Sequence, residues 1–269
     1  MKRGKSGPPI AIQAIDVHAH IGRYVGAGFA LGNGFYSGGA AVVLERARMA
    51  NTACTVVSSL RALLPRGHGQ PVPGNREALA EVRRHRGLRL WAVVNPLAPA
   101  TFTQAEELLA LPVCVGIKVH PEEHRYPIRR HGRRIFEWAE AHGAVIQSHS
   151  GERNSMPEDF VPFADDFPSV RVILSHLGCG WDGEVTHQVR AIQRCRHGNL
   201  HTDTSSAKSI TPRLLEWAVG EVGAEKILYG TDSPLYFAPM QRARVDHADL
   251  READKRLILR ANAERLLGL

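Results

Sequence analysis

The chain predicts an α/β fold: a single (β/α)8 TIM barrel, with room for distortion, carrying its active site at the C-terminal strand ends. Three observations point there. Short apolar runs alternate with amphipathic stretches eight times along the sequence. The 269 residues suit one such barrel, which typically needs ~250. The first apolar run is not followed by a clean G-x-G-x-x-G turn into a helix, the feature expected of an open doubly wound sheet.

The strand-like runs are 10–17, 53–59, 89–95, 113–119, 144–148, 170–175, 199–203 and 226–230. Several are apolar almost throughout, as strands covered on both faces must be. Between them, helix-like stretches fall at 40–51, 75–86, 102–111, 130–142, 157–167, 182–196, 211–223 and 239–266, the last expected to be broken. Gly143 and Gly198 stand where helices stop, and Pro212 suits a first helical turn after Thr211 as N-cap. The glycine-rich stretch GRYVGAGFALGNGFYSGG reads as a long loop over a site. No repeat or composition shift splits the chain. The expectation is a disordered tail over 1–9 and one domain over 10–269.

Composition removes several functions. No apolar run reaches the ~20 residues of a membrane span. The segment MKRGKSGPPI is basic but lacks the apolar stretch of a secretory signal, so a cytoplasmic location is expected. The four cysteines, Cys54, Cys114, Cys179 and Cys195, form no C-x-x-C pair and are expected to stay reduced, without a metal or nucleophilic role. The net charge of +7 comes mostly from arginine, since only six lysines occur. Clusters such as Arg83-Arg84 with Arg86, and Arg129-Arg130 with Arg133-Arg134, lie in helix-like segments and read as solvated faces. At 6% aromatic residues, with no basic–aromatic interleaving, the chain predicts no dedicated nucleic-acid role.

The most informative stretch is IDVHAH, where an apolar run meets Asp16 and then His18 and His20. Residues two apart on a strand share a side, so both imidazoles can converge on one divalent ion. Alone, an H-x-H pair is more often two loop histidines. The other strand ends change that ranking: Lys118 and His120 in GIKVHP, His149 in QSHSG, His176 in LSHLG, Asp203 in HTDTSS and Asp232 in YGTDSP. Together they offer donors for one or two metal ions.

These motifs, with the segments FPSVRVILSHLG, GAEKILYGTDSP and NAERLLGL, resemble the amidohydrolase superfamily of metal-dependent barrels. The likeness is to its amidohydrolase-related branch, which includes relatives of aminocarboxymuconate-semialdehyde decarboxylase, and it covers nearly the whole chain. It implies metal held by His18, His20, His149 and Asp232. It gives His176 either a proton-handling role beside one metal or a ligand role toward a second. Lys118 stands where two-metal members carry a bridging acid, often a carbamylated lysine; the plain reading is a lysine paired with a carboxylate or with substrate. His120 is a third proton carrier or a substrate contact, and Asp203 is expected to orient His176 or His201. Substrate contacts are expected from Arg23, Tyr36, Arg61, Asn95, Arg125 and Trp181, each of which is individually more often a surface or turn residue.

The expected activity is hydrolysis of an amide, ester or lactone of a small molecule by activated water, with Asp232 moving the proton and His176 polarising the carbonyl. The alternative is non-oxidative decarboxylation of an aromatic or unsaturated acid. It ranks second because such decarboxylases usually carry longer loop insertions. A TatD-like nuclease ranks lower, since those proteins place glutamate where Lys118 stands, and a non-catalytic metal-binding barrel ranks last. The expected cofactor is zinc, one or two ions, with manganese or iron as alternatives; a homodimer is the expected assembly.

Overall fold

The computed structural model describes residues 11–26, 28 and 30–269. The tail expected over 1–9 lies outside the described residues. Eight strands run in sequence order around one sheet: β1 Ala14–Ile21, β2 Thr52–Ser59, β3 Leu88–Val93, β4 Cys114–Val119, β5 Ile146–Ser148, β6 Val172–Leu174, β7 Leu200–Asp203 and β8 Ile227–Leu228. Every neighbouring pair is parallel. The last and first strands meet through backbone bonds, Val17 N to Tyr229 O at 3.0 Å and Asp232 N to His18 O at 2.7 Å, and a bridge between Ala19 and Ser233. This is the predicted (β/α)8 barrel, closed at its seam.

Helices follow the strands at Ala40–Met49, Pro71–Arg84, Ala100–Leu109, Ile128–Ala141, Val161–Asp166, His187–Arg194 and Leu214–Val222. The C-terminal helical region is broken, as expected, into Ala238–Asp246, Glu252–Arg256, a π turn over Leu257–Ala261 and Asn262–Leu267. The predicted helix over 182–196 starts late. Asp182 Oδ1 takes the amide of Glu184 at 3.1 Å, and Glu184 Oε1 takes that of Thr186 at 2.9 Å. These side chains offer the backbone a turn in place of a helix. Thr211 is not the cap expected; Arg213, at φ 64°, precedes the helix that begins at Leu214. Two short helices, Ala30–Phe35 and Leu60–Leu63, lie in stretches read as loop. Among the described residues no helix is long and apolar enough to cross a membrane.

The first strand corrects the sequence reading most. It runs past the expected bound at 17, through both histidines that the sequence placed at its end. In its pairing with β2, Asp16 faces Thr55 but Ala19 already faces Val57, so β1 carries one extra residue at this point. Such a bulge changes which side chains face inward. Below it, Ile15 and Val17 pack with Trp91, Val145, Ile173 and Leu228 in the barrel interior. Above it, Ala19 and Ile21 face the helices, and His18 and His20 take over the inward positions. The carbonyl of Val17 receives Trp91 Nε1–H at 2.8 Å and Gln147 Nε2–H at 2.9 Å. A buried carbonyl needs such partners. Gly116, at φ 156°, makes room for Trp91: a Cβ there would lie 2.6 Å from its Cζ3.

Outside the barrel, apolar residues of strands and helices form two further packed clusters, one around Leu90, Ile117, Phe136 and Leu174, the other around Leu177, Leu215, Ile227 and Ile258. Surface arginines pair with acids: Arg84 with Glu81, Arg133 with Asp166, Arg196 with Asp165. The four cysteines are unpaired.

Candidate metal centre

Three donors meet at the C-terminal rim of the barrel. His20 Nε2 lies 3.0 Å from Asp232 Oδ1, and His18 Nε2 lies 3.5 Å from the same oxygen. All three side chains are buried. Asp232 Oδ1 makes no hydrogen bond there, although it is shut off from solvent. A carboxylate oxygen left bare at the focus of two imidazole nitrogens is costly unless a cation joins them. The donor set therefore fits a divalent ion held by His18, His20 and Asp232.

The opposite ring nitrogens fix this aim. His18 Nδ1 lies 3.0 Å from Asp203 Oδ2 and His20 Nδ1 lies 2.8 Å from Ser58 Oγ. A Nδ1–H engaged in this way leaves Nε2 carrying the lone pair, the arrangement metal-binding histidines use, with Lys118 Nζ 3.0 Å from that of His18. Burial, reinforced by Lys118, lowers His18 to about 3, so its ring is neutral and able to ligate. Burial alone would raise Asp203, but His18, His176 and the amide of His176 outweigh it and hold the carboxyl well below its usual range. Asp16 anchors the base of the site. It accepts from Thr231 Oγ1 at 2.6 Å and from the amides of His18 and Thr231 at 3.0 and 3.1 Å. Gly230 is required behind His18, since a Cβ would meet His18 Cβ at 3.1 Å and Asp203 Cγ at 3.2 Å.

A second grouping, His18, His176 and Asp203, also brings three donors together. Here Ser205 stands between them. Its Oγ lies 2.9 Å from His18 Nδ1 and 2.8 Å from His176 Nδ1 and also bonds Asp203. These donors are satisfied by one another, so the grouping forms a hydrogen-bonded support behind His18. His176 and Asp232 both hold left-handed backbone, at φ 76° and 56°. Non-glycine residues in that region concentrate where function fixes a side chain.

A cavity of about 180 Å³ opens over the donors. It is lined by His18, His20, His120, His149, His176 and Asp232, by the apolar and aromatic side chains of Tyr24, Leu60, Leu63, Leu64, Leu235 and Tyr236, and by Glu123, Glu152, Cys179 and Ser206. With this geometry in place, the family can be assigned: the Amidohydrolase family model matches residues 15–269.

The chain belongs to the amidohydrolase family. No curated protein is matched by sequence. Among solved structures, this amidohydrolase is similar to 2,6-dihydroxybenzoate decarboxylase from Rhizobium, with 14% identity, a TM-score of 0.72, and 95% of this chain and 98% of that one covered. It is similar also to 5-carboxyvanillate decarboxylase from Sphingomonas paucimobilis, at 13% identity and TM-score 0.74, covering 96% and 99%. A dihydroxybenzoic acid decarboxylase from a Polaromonas species, with bound manganese and the inhibitor 2-nitroresorcinol, matches at 15% identity and TM-score 0.74, covering 96% and 97%. At these identities the likeness is one of fold.

The remaining expected residues of the amidohydrolase divide sharply. His149 lines the cavity but stands outside the donor trio. Its Nδ1 lies 3.0 Å from His176 Nε2, and its Nε2 lies 2.7 Å from Glu152 Oε2. Lys118 is fully buried with Nζ 3.0 Å from His18 Nε2, and burial lowers it to about 8. His120 stacks on His149 with ring centroids 4.1 Å apart.

Three expected substrate contacts are misplaced. Arg61 reaches away from the metal site to Glu77 and Gln70, and Arg23 lines that same neighbouring pocket. Trp181 lies in another groove under Arg153, whose guanidinium sits 4.3 Å from its ring. Each follows a strand in sequence, but the segment after the strand carries it outward. Tyr36 packs on Tyr24 at 5.2 Å, and Asn95 shapes its turn by accepting the amide of Leu97 at 3.0 Å. Arg125 is exposed, outside the cavity. Asp203 serves His18 and His176, whereas His201 lies beside Lys226 and Arg265.

Sequence reasoning missed Ser58, Ser205, Glu123 and Glu152. Ser205 follows Asp203 by two, and that spacing was a usable signal; Ser58 is the last but one residue of β2, and Glu123 and Glu152 sit in loops whose path no local pattern encodes.

Proposed function

We propose that this amidohydrolase is a metal-dependent, non-oxidative decarboxylase of a small aromatic or unsaturated carboxylic acid. The observation that carries the reading is the cavity itself, which is lined by Tyr24, Leu63, Leu64 and Tyr236 together with the His18–His20–Asp232 donors. The decarboxylases of hydroxylated benzoic acids that share the fold over nearly their whole length support it. A divalent ion bound there, zinc or manganese, would supply Lewis acidity to a carboxylate or carbonyl oxygen. The ring packs against the apolar wall, which keeps water from the reacting carbon. Asp232 and His176 handle the proton. A proton is added at the carbon that bears the carboxylate, the carbon–carboxylate bond breaks, its electron pair returns to the unsaturated system and carbon dioxide leaves. His120 accepts the amide of Glu123 at Nδ1, 3.3 Å away, so its Nε2 carries hydrogen and can donate to a substrate oxygen.

Hydrolysis of a neutral amide, ester or lactone is the second reading. One observation favours it: no arginine or lysine lines the cavity among the described residues, so no side-chain cation awaits a carboxylate. The experiment uses manganese- or zinc-loaded protein with 2,6-dihydroxybenzoate and 5-carboxyvanillate in D2O. Carbon dioxide release with one deuterium placed at the vacated carbon supports decarboxylation. Turnover of lactones or amides without carbon dioxide release replaces it with hydrolysis.

A further inference from the structure

The alternation of β1 continues past its end and gives the chain there two lined faces. His20 and Tyr24 line the metal cavity, whereas Ile21, Arg23 and Val25 line a second cavity on the side of the helix Pro71–Arg84. Side chains two apart in extended chain share a side. Arg23 is therefore turned away from the metal donors, with its neighbours Ile21 and Val25. The segment after β2 divides in the same way: Leu60 and Leu63 line the first cavity, Ser59 and Arg61 the second. Leu64 borders both.

The second cavity holds about 340 Å³, against about 180 Å³ over the metal donors. Small-molecule sites typically enclose ~300–1,000 Å³. Its apolar surface comes from Ile21, Val25, Leu64 and Ala78. Its charges are mostly spent. Arg61 pairs with Glu77 and donates twice to Gln70 Oε1, at 2.7 and 3.0 Å. Glu81 pairs with Arg84 at 3.2 Å. Among the described residues, Arg23 alone of the charged groups lining this cavity has neither an ion pair nor a hydrogen bond.

We propose that the second cavity is a binding site for a small apolar monocarboxylate, with its carboxylate on Arg23 and its hydrocarbon part against Ile21, Val25, Leu64 and Ala78. One uncommitted guanidinium matches one carboxylate, which it can hold through two parallel N–H bonds. A doubly charged anion would also face Glu77 and Glu81. The site lies apart from the metal donors and does not depend on the reaction proposed above.

The test is calorimetric binding of 3-phenylpropionate and its neutral amide, 3-phenylpropanamide, to the manganese-loaded protein. The acid should bind about tenfold more tightly than the amide. Arg23→Gln should lower the affinity for the acid to that of the amide and leave the amide unchanged. Gly39→Phe should abolish binding of both. Gly39 lines the cavity at an unstrained φ of −80°, and a Cβ there would meet nothing within 4 Å, so the added ring has room to enter. His18→Ala, which removes the metal, should still bind the acid. No binding by the unaltered protein, or unchanged affinity for the acid in a folded Arg23→Gln or Gly39→Phe, overturns the proposal. Binding that vanishes entirely in a folded His18→Ala places the acid on the metal and overturns it as well.

Discussion

Asp203 Oδ2 lies 3.0 Å from His18 Nδ1, and both side chains are almost wholly buried. That contact presents the far nitrogen of His18 to Asp232 and His20. Asp203→Ala should therefore weaken metal binding by about 10–100-fold while leaving all three ligands in the chain. Competition with a chelator of known affinity measures it. Unchanged affinity would mean that Asp203 does not orient the ring.

Asp232→Asn should lose nearly all activity. The amide keeps the shape but cannot carry the proton, and it is a poor ligand beside His20 at 3.0 Å. His18→Ala should lose metal and activity together. Circular dichroism should show both variants folded, since the interior packing around Trp91 lies below the bulge.

Metal content should be one divalent ion per chain. The second cluster of donors is occupied by Ser205. Elemental analysis after growth with excess zinc or manganese checks this, with and without added bicarbonate. A rise to two ions with bicarbonate, lost in Lys118→Met, would instead mark a carbamylated bridge.

Gly230→Ala should disturb the site without touching a ligand. The added methyl would press on His18 Cβ at 3.1 Å and on Asp203 Cγ and Ser205 Cβ at 3.2 Å. Overpacking of this kind costs about 1–3 kcal/mol. Denaturant unfolding should show that loss, and metal affinity should fall with it.

His201 supplies a pH dependence away from the metal. Burial, with Lys226 nearby, lowers it to about 4 from the ordinary 6.5. Between those values the unfolded chain binds a proton that the folded chain refuses, so stability is full above 6.5 and falls as pH drops toward 4. The shift corresponds to about 3 kcal/mol at pH 4 relative to pH 7. In His201→Gln the unfolding free energy should decline less steeply over that window. Identical slopes would remove His201 as the cause.

The barrel was legible because its strands are buried on both faces and punctuated by glycine and polar rims, a pattern that local sequence carries in full. His18, His20 and Asp232 were legible for a related reason: in a barrel of known polarity, a strand end has a known address. The bulge in β1 was not, because Asp16 reads as a polar stop until Thr231, more than two hundred residues away, is seen to receive it. Arg61 was misread because its partners, Glu77 and Gln70, belong to the next helix and its approach. Glu152 reached the site through a turn closed by Gly151 and Ser155, a path set by loop geometry and not by periodicity.

The surplus residue between Asp16 and Ala19 makes the rim depend on how β1 is paired in a way the packed base does not. Flattened into simple alternation with the same residues, the strand would turn both imidazoles toward the surrounding helices, and the Val17 carbonyl that Trp91 and Gln147 now share would move with it. Such a strand would keep both histidines in its sequence and bring neither to Asp232.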